Sequence, residues 1–205
     1  LVFLNKKMDP NRLFHQNQRT GVDHLNYYYY TNAFSPEECD LIISQLEMLP
    51  KQKGVTGAGE SSIESEYRVS EISWVPTDDK YIWIYDRISQ LAINANKEMW
   101  NYDLWGYNDD IQYTNYYDNG GHYDWHADMG PFMSNRKVSC VLQLTDPDEL
   151  EGGDLQLNNG AGIVTPPKGR GILTIFSSFV LHRVTPLTKG NRKTLVAWIS
   201  GPNLR

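Results

Sequence analysis

Two regimes of hydrophobic spacing divide the chain near Asp110. Before it, apolar residues recur at helical intervals. Leu41, Ile42, Leu46 and Leu49 give one such face, and Ile84, Ile88, Leu91, Ala95 and Met99 another. Ser35-Pro36-Glu37-Glu38 supplies a start for the first: Ser35 as cap, Pro36 at the first helical position, Glu38 where a capping box needs it. The second face predicts a long helix within Asp78–Trp100 that backs a sheet. Two strands precede the divide, one around the tyrosines Tyr27 to Tyr30 and one over Tyr67–Val75, which alternates. Residues 1–25 are polar and without period and read as an arm, and Lys51–Ser65, rich in Gly and Ser, as a loop that could serve as a lid.

After Asp110 the period shortens. The runs are Ile111–Tyr117, His122–Ala127, Lys137–Leu144, Asp154–Leu157, Gly162–Thr165, Gly171–Phe176, Val180–Val184 and Lys193–Ser200. Turn signals separate them, among them Asn119-Gly-Gly121, Glu151-Gly-Gly153 and Lys189-Gly-Asn191. Short strands punctuated in this way predict a sandwich or jelly roll. The fold class expected is therefore mainly β with supporting helices (α+β), the N-terminal helices packed on one sheet.

Composition narrows the function classes. The 205 residues suit one domain, taken as 26–205. A net charge of −6 disfavours a broad nucleic-acid footprint. The two cysteines, Cys39 and Cys140, are too few for a disulfide framework, which points to free thiols and a cytoplasmic protein. No apolar run reaches the length of a membrane span, and Leu1-Val-Phe-Leu is too short for a signal-peptide core.

The candidate chemistry is metal binding. In an extended strand, residues i and i+2 share a face, so His126 and Asp128 can grip one ion from one side. His182, from a distant strand, would complete a set of two histidines and one carboxylate, which suits non-haem Fe(II). Arg192, ten positions on (192 − 182 = 10), offers a cationic fork for a distant carboxylate. A second triplet, His122-Tyr-Asp124, has the same parity, and periodicity does not choose between the two. His15 and His24 read as solvated residues of the arm.

Context separates the triplets. Tyr117-Asp-Asn-Gly120-Gly-His-Tyr123-Asp-Trp-His126-Ala-Asp128 resembles the Tyr-x-x-Gly-x-x-Tyr-x-x-His-x-Asp signature of the prolyl-4-hydroxylase-like 2-oxoglutarate/Fe(II) dioxygenases. So do Gly169-Arg-Gly-Ile-Leu-Thr-Ile-Phe176, His182-Arg-Val-Thr-Pro186, Gly190-Asn-Arg192 and the hairpin Glu151-Gly-Gly-Asp-Leu155. Tyr67-Arg68-Val-Ser70 with Trp74 resembles the Arg-x-Ser strand before that family's core, so the resemblance covers about 65–202.

The resemblance implies a double-stranded β-helix. It maps His126, Asp128 and His182 to the metal ligands, Arg192 to the 2-oxoglutarate anchor and Tyr117 to a tyrosine on the same carboxylate. Tyr113 shares the parity of Tyr117 and is expected beside it. Arg68, Ser70 and Trp125 are candidate substrate contacts, with a plain core role equally open for Trp125. The implied cofactors are Fe(II), 2-oxoglutarate and O2, with ascorbate as a possible accessory. The implied reaction is hydroxylation of a prolyl residue in a peptide or protein, releasing succinate and CO2. A free amino acid or other small molecule, a cupin-like metal protein without 2-oxoglutarate turnover, and an inactive binding domain are the alternatives. The nucleic-acid-repairing branch carries a second arginine where this chain has Trp198.

Overall fold

The computed structural model of the chain describes residues 27–55, 66–131 and 133–203. The arm expected over 1–25 and most of the expected lid (residues 56–65) lie outside the described residues. In chain order the early strands are β1 (Tyr27–Tyr30), β2 (Gln52–Lys53), β3 (Arg68–Val69), β4 (Glu71–Val75) and β5 (Gly106–Tyr107). There follow β6 (Ile111–Tyr117), β7 (His122–His126), β8 (Arg136–Gln143), β9 (Glu151–Gly152) and β10 (Leu155–Asn158). The last are β11 (Ile163–Val164), β12 (Leu173–Ser177), β13 (Leu181–Val184), β14 (Leu187–Lys189) and β15 (Asn191–Ser200). The α-helices among the described residues are α1 (Pro36–Leu46) and α2 (Ile82–Met99).

Local chemistry starts α1 where the sequence indicates. The Glu38 amide donates to Ser35 Oγ at 3.2 Å, and the Ser35 amide donates to Glu38 Oε2 at 2.9 Å. This capping box satisfies two otherwise orphaned N–H groups. The buried face is Cys39, Ile42 and Leu46. Leu41, expected on that face, is turned out at 46% exposure, and Leu49 lies past the helix end. Each residue advances a helix by 100°, so Leu41 cannot share a stripe centred on Ile42 and Leu46. The second helix buries Ile84, Tyr85, Ile88, Ala92 and Ala95.

The large sheet runs in the order β1-β12-β8-β15-β6-β4-β2, with β5 also paired to β15. The smaller sheet runs β11-β10-β13-β7-β3, and β14 pairs β9 separately. All pairings are antiparallel, so the chain is mainly β with few helices. Strand alternation gives the large sheet two distinct faces. Ile111, Tyr113, Val138, Cys140, Leu142, Leu195, Ala197 and Ile199 cluster with the buried residues of α1 and α2. The other face carries Ile72, Trp74, Gln112, Tyr116, Val141, Arg192, Thr194, Val196 and Trp198, which line a cavity shared with the small sheet. Tyr27, Val141, Leu157, Phe176 and Val180 form a second apolar cluster between β1, β8, β10 and β12.

The alternating run Tyr67–Val75 is not one strand. Its first part, β3, pairs β7 of the small sheet, and its second, β4, pairs β6 of the large sheet. The chain changes sheets at Ser70, which a period-two pattern cannot reveal because alternation continues on either side. Both cysteines are free and buried. Among the described residues no helix is long and apolar enough to cross a membrane.

Candidate functional site

The small sheet delivers three ligand-type side chains to one point. His126 ends β7 and lies opposite His182 of β13 in register. Asp128 follows two residues after His126, and the Met129 amide, donating to the Ser178 carbonyl at 2.9 Å, fastens that turn. The ligand atoms of His126, Asp128 and His182 all lie within 4.8 Å of one another. His126 Nε2 is 3.8 Å from Asp128 Oδ1, and His182 Nε2 is 3.5 Å from Oδ2.

Neighbouring groups orient each ligand. Nδ1 of His126 faces the Asp124 carbonyl at 2.7 Å and Nδ1 of His182 the Val180 carbonyl at 3.0 Å. A proton held at Nδ1 by a carbonyl leaves the Nε2 lone pair for a metal. Ser139 Oγ donates to Asp128 Oδ2 at 2.7 Å and lies 2.9 Å from Ser178 Oγ. Burial, then the neighbouring His182, holds His126 below the usual imidazole range. Burial pushes the Asp128 carboxyl up, but His182, His126, Ser139 and Trp198 outweigh it and hold the group below the carboxylate range. Neutral imidazole beside ionised carboxylate is the protonation state that metal coordination requires.

Among the described residues, His122 and Asp124 belong to no such group. Both His122 ring nitrogens face backbone carbonyls, Gly120 and Glu66, each at 2.7 Å. Asp124 accepts from the Trp125 amide at 2.8 Å. Geometry thus separates the two triplets that periodicity left equal.

Arg192 lines the same cavity at 3% exposure. Among the described residues no carboxylate pairs with it, and its Nε has no hydrogen-bond partner. Burial lowers its pKa, while Tyr116 and Asp154 act in the opposite sense. A guanidinium stays charged even so. Leaving that charge buried and unpaired costs several kcal/mol, a cost an anionic ligand would relieve. Gly153, at φ +64°, makes room for the Arg192 stem: a Cβ there would sit 3.0 Å from Arg192 Cδ and 2.9 Å from Leu187 Cδ1.

The tyrosines expected beside Arg192 are elsewhere. Tyr117 donates to Glu71 Oε2 at 2.6 Å, and Tyr113 to Glu47 Oε1 at 2.8 Å. Neither lines the cavity. Both sit on the helix-side parity of β6, with the core residue Ile111. The residue opposite Arg192 in the ladder is Tyr116, whose ring centroid lies 5.4 Å from the guanidinium carbon. The signal was available, since the apolar Ile111 fixes which parity of β6 faces the helices.

Of the expected substrate contacts, Arg68 lines the cavity. Ser70 does not; its hydroxyl accepts from Arg68 Nε at 2.9 Å. Trp125 lies outside as well, 4.7 Å from the guanidinium carbon of Arg183, which donates to Gln156 at 2.8 Å. Ser139 and Trp198, opposite one another in the ladder, were not singled out by sequence, though both bear on Asp128. The cavity has a volume of about 370 Å³, with apolar walls from Val141, Leu155, Val184 and Val196.

Residues 111–200 match the profile of the 2OG-Fe(II) oxygenase superfamily. A PKHD-type hydroxylase of Teredinibacter turnerae is 36% identical over 91 residues, covering 42% of this chain and 40% of that protein. One from Aliarcobacter butzleri is 37% identical over 94 residues, 42% of each. The matched stretch thus spans about two fifths of these curated relatives. A Pseudomonas putida prolyl-4-hydroxylase superposes with a TM-score of 0.66 at 18% identity, over 87% of this chain and 94% of that one. A Trichoplax adhaerens prolyl hydroxylase, solved with a peptide fragment of the hypoxia inducible factor oxygen degradation domain, gives 0.68 at 17%, over 93% and 88%. The fold is shared with these hydroxylases.

Proposed function

We propose that the chain is a 2OG-Fe(II) oxygenase, as the profile match over residues 111–200 supports, and that it hydroxylates a C–H bond, that of a prolyl residue in a peptide or protein. One observation carries this reading: three convergent ligand atoms share a cavity with a buried guanidinium that has no acidic partner among the described residues. A metal-binding jelly roll without a diacid co-substrate gives no reason to bury Arg192. We read the two sheets as a double-stranded β-helix within a domain spanning 26–205.

His126, Asp128 and His182 would hold Fe(II), and the donor set suits that metal with positions left open. Fe(II) with 2-oxoglutarate and O2 would supply the oxidising chemistry, with succinate and CO2 as co-products. The chain's own work is geometric and electrostatic. Arg192 would seat the far carboxylate of the diacid, with Tyr116 beside it. Ser139 holds the Asp128 carboxylate in orientation. The apolar walls keep water from the reacting centre, which strengthens each charged contact inside.

The test adds Fe(II) and 2-oxoglutarate without oxygen and reads the metal-to-ligand visible band. The wild-type protein should show it and Asp128→Ala should not. Oxygen and proline-containing peptides are then admitted and succinate followed. Absence of a band in the wild type, or succinate release by Asp128→Ala at the wild-type rate, overturns the reading.

A further inference from the structure

Arg68 is a second cation of the cavity that no acid among the described residues neutralises. Its neighbours are neutral dipoles. Nε donates to Ser70 Oγ at 2.9 Å, Nη2 to Gln112 Oε1 at 2.7 Å, and Nη1 to the Val55 carbonyl at 3.4 Å. Its guanidinium carbon lies 4.6 Å from the centroid of the Tyr123 ring, which stacks on His126 with 3.4 Å between centroids. Gly54 is cut to fit this arrangement: a Cβ there would fall 2.2 Å from Ser70 Oγ and 2.6 Å from Arg68 Nε. The side chain is therefore held in one place while its charge is left open.

The fork is also incompletely used. A guanidinium has five N–H donors. The three bonds above leave one N–H on each terminal nitrogen free to donate to a carboxylate. The other charges of the cavity are accounted for. Arg136 is paired with Asp109 at 3.0 Å. Asp128 lies between His126 and His182. Fe(II) and doubly ionised 2-oxoglutarate cancel one another, and Arg192 offsets Asp128. A loaded cavity thus keeps a net positive charge, at Arg68, one aromatic ring away from His126. An uncompensated charge in a partly closed cavity favours entry of the opposite sign.

We propose that Arg68 is the seat for a carboxylate of the substrate, so that the group hydroxylated lies beside an acidic function. This rests on the oxygenase reading above and narrows its substrate class. The carboxylate has two sources, an acidic side chain next to the target residue or the α-carboxylate of a free imino acid, and the experiment separates them.

Fluorescein-labelled short peptides with one proline flanked by Asp, Asn or Lys are titrated without oxygen into protein carrying Fe(II) and 2-oxoglutarate, and anisotropy is read. Free L-proline and prolinamide serve as competitors. A side-chain source gives preference for the Asp peptide over the Asn peptide by roughly 10-fold or more, as one charge-assisted pair contributes. An α-carboxylate source gives displacement by L-proline and none by prolinamide. In either case Arg68→Gln should erase the discrimination, Arg68→Lys restore part of it, and Arg68→Glu turn the peptide preference toward Lys. The visible band in each variant reports that fold and chelate site persist. Equal binding of all three peptides with equal competition by both prolines overturns the proposal, as does discrimination that survives in Arg68→Gln. If the band is missing in the wild type, the oxygenase reading fails while anisotropy still decides the carboxylate seat.

Discussion

At the scale of single residues, the large sheet sorts the aromatic hydroxyls of β6 by parity. Tyr116 faces Arg192, whereas Tyr113 and Tyr117 are tied to Glu47 and Glu71. Tyr117→Phe should therefore leave the 2-oxoglutarate requirement within about 2-fold of wild type, for it removes no cavity contact. Tyr116→Phe should raise that requirement, and Arg192→Ala should raise it by ~30-fold or more, the equivalent of about 2 kcal/mol for truncating one member of a buried charge pair. Succinate release against 2-oxoglutarate concentration distinguishes the three. The sequence singles out His126, Asp128, His182 and Arg192 because their chemistry is rare and their spacing specific, and the fold brings all four to one cavity. The motif offers Tyr117, but strand alternation anchored by Ile111 turns Tyr117 to the helix side and Tyr116 to the cavity. Ser139 was illegible, since one serine among strand residues carries no sign that its hydroxyl meets a carboxylate from another strand.

At the scale of elements, boundaries followed local signals and failed where tertiary pairing alone sets them. The cap of α1 was readable, as Ser35, Pro36 and Glu38 act within one turn. Ser35→Ala should lower stability by about 1 kcal/mol, read as a shift in the denaturation midpoint at unchanged slope. Glu38 also meets Arg87 of α2 at 2.6 Å, so loss of the cap loosens a contact between helices. The run Ile111–Tyr117 has the bounds that its alternation predicts. By contrast β9 and β14, two and three residues long, exist because they pair with each other and show no pattern of their own. The change of sheets at Ser70 was hidden for the same reason.

At the scale of the molecule, the two faces of the large sheet divide labour. On the helix side Glu47, at the C-terminal end of α1, gathers Lys51 at 2.6 Å, Lys193 at 2.9 Å and Tyr113 at 2.8 Å. Burial pushes the Glu47 carboxyl up, but these three donors pull it down to about 2. A carboxylate that binds its proton less readily when folded stabilises the fold above its ordinary value near 4.5, and that contribution fades as pH falls from there toward 2. Urea midpoints at pH 7 and pH 3 should differ less in Glu47→Gln than in wild type. On the other face, a divalent ion at 100 times its dissociation constant adds about 2.7 kcal/mol, roughly 5 to 10 °C in Tm, and Asp128→Ala should abolish that gain. His126 and His182 stand directly across one antiparallel ladder. An ion between them would rivet neighbouring β-segments together, so slowed amide exchange should be concentrated in β7 and β13. Sliding either segment by a single position would aim one imidazole out of the cavity, so the alignment of two backbones is itself a condition for the chemistry.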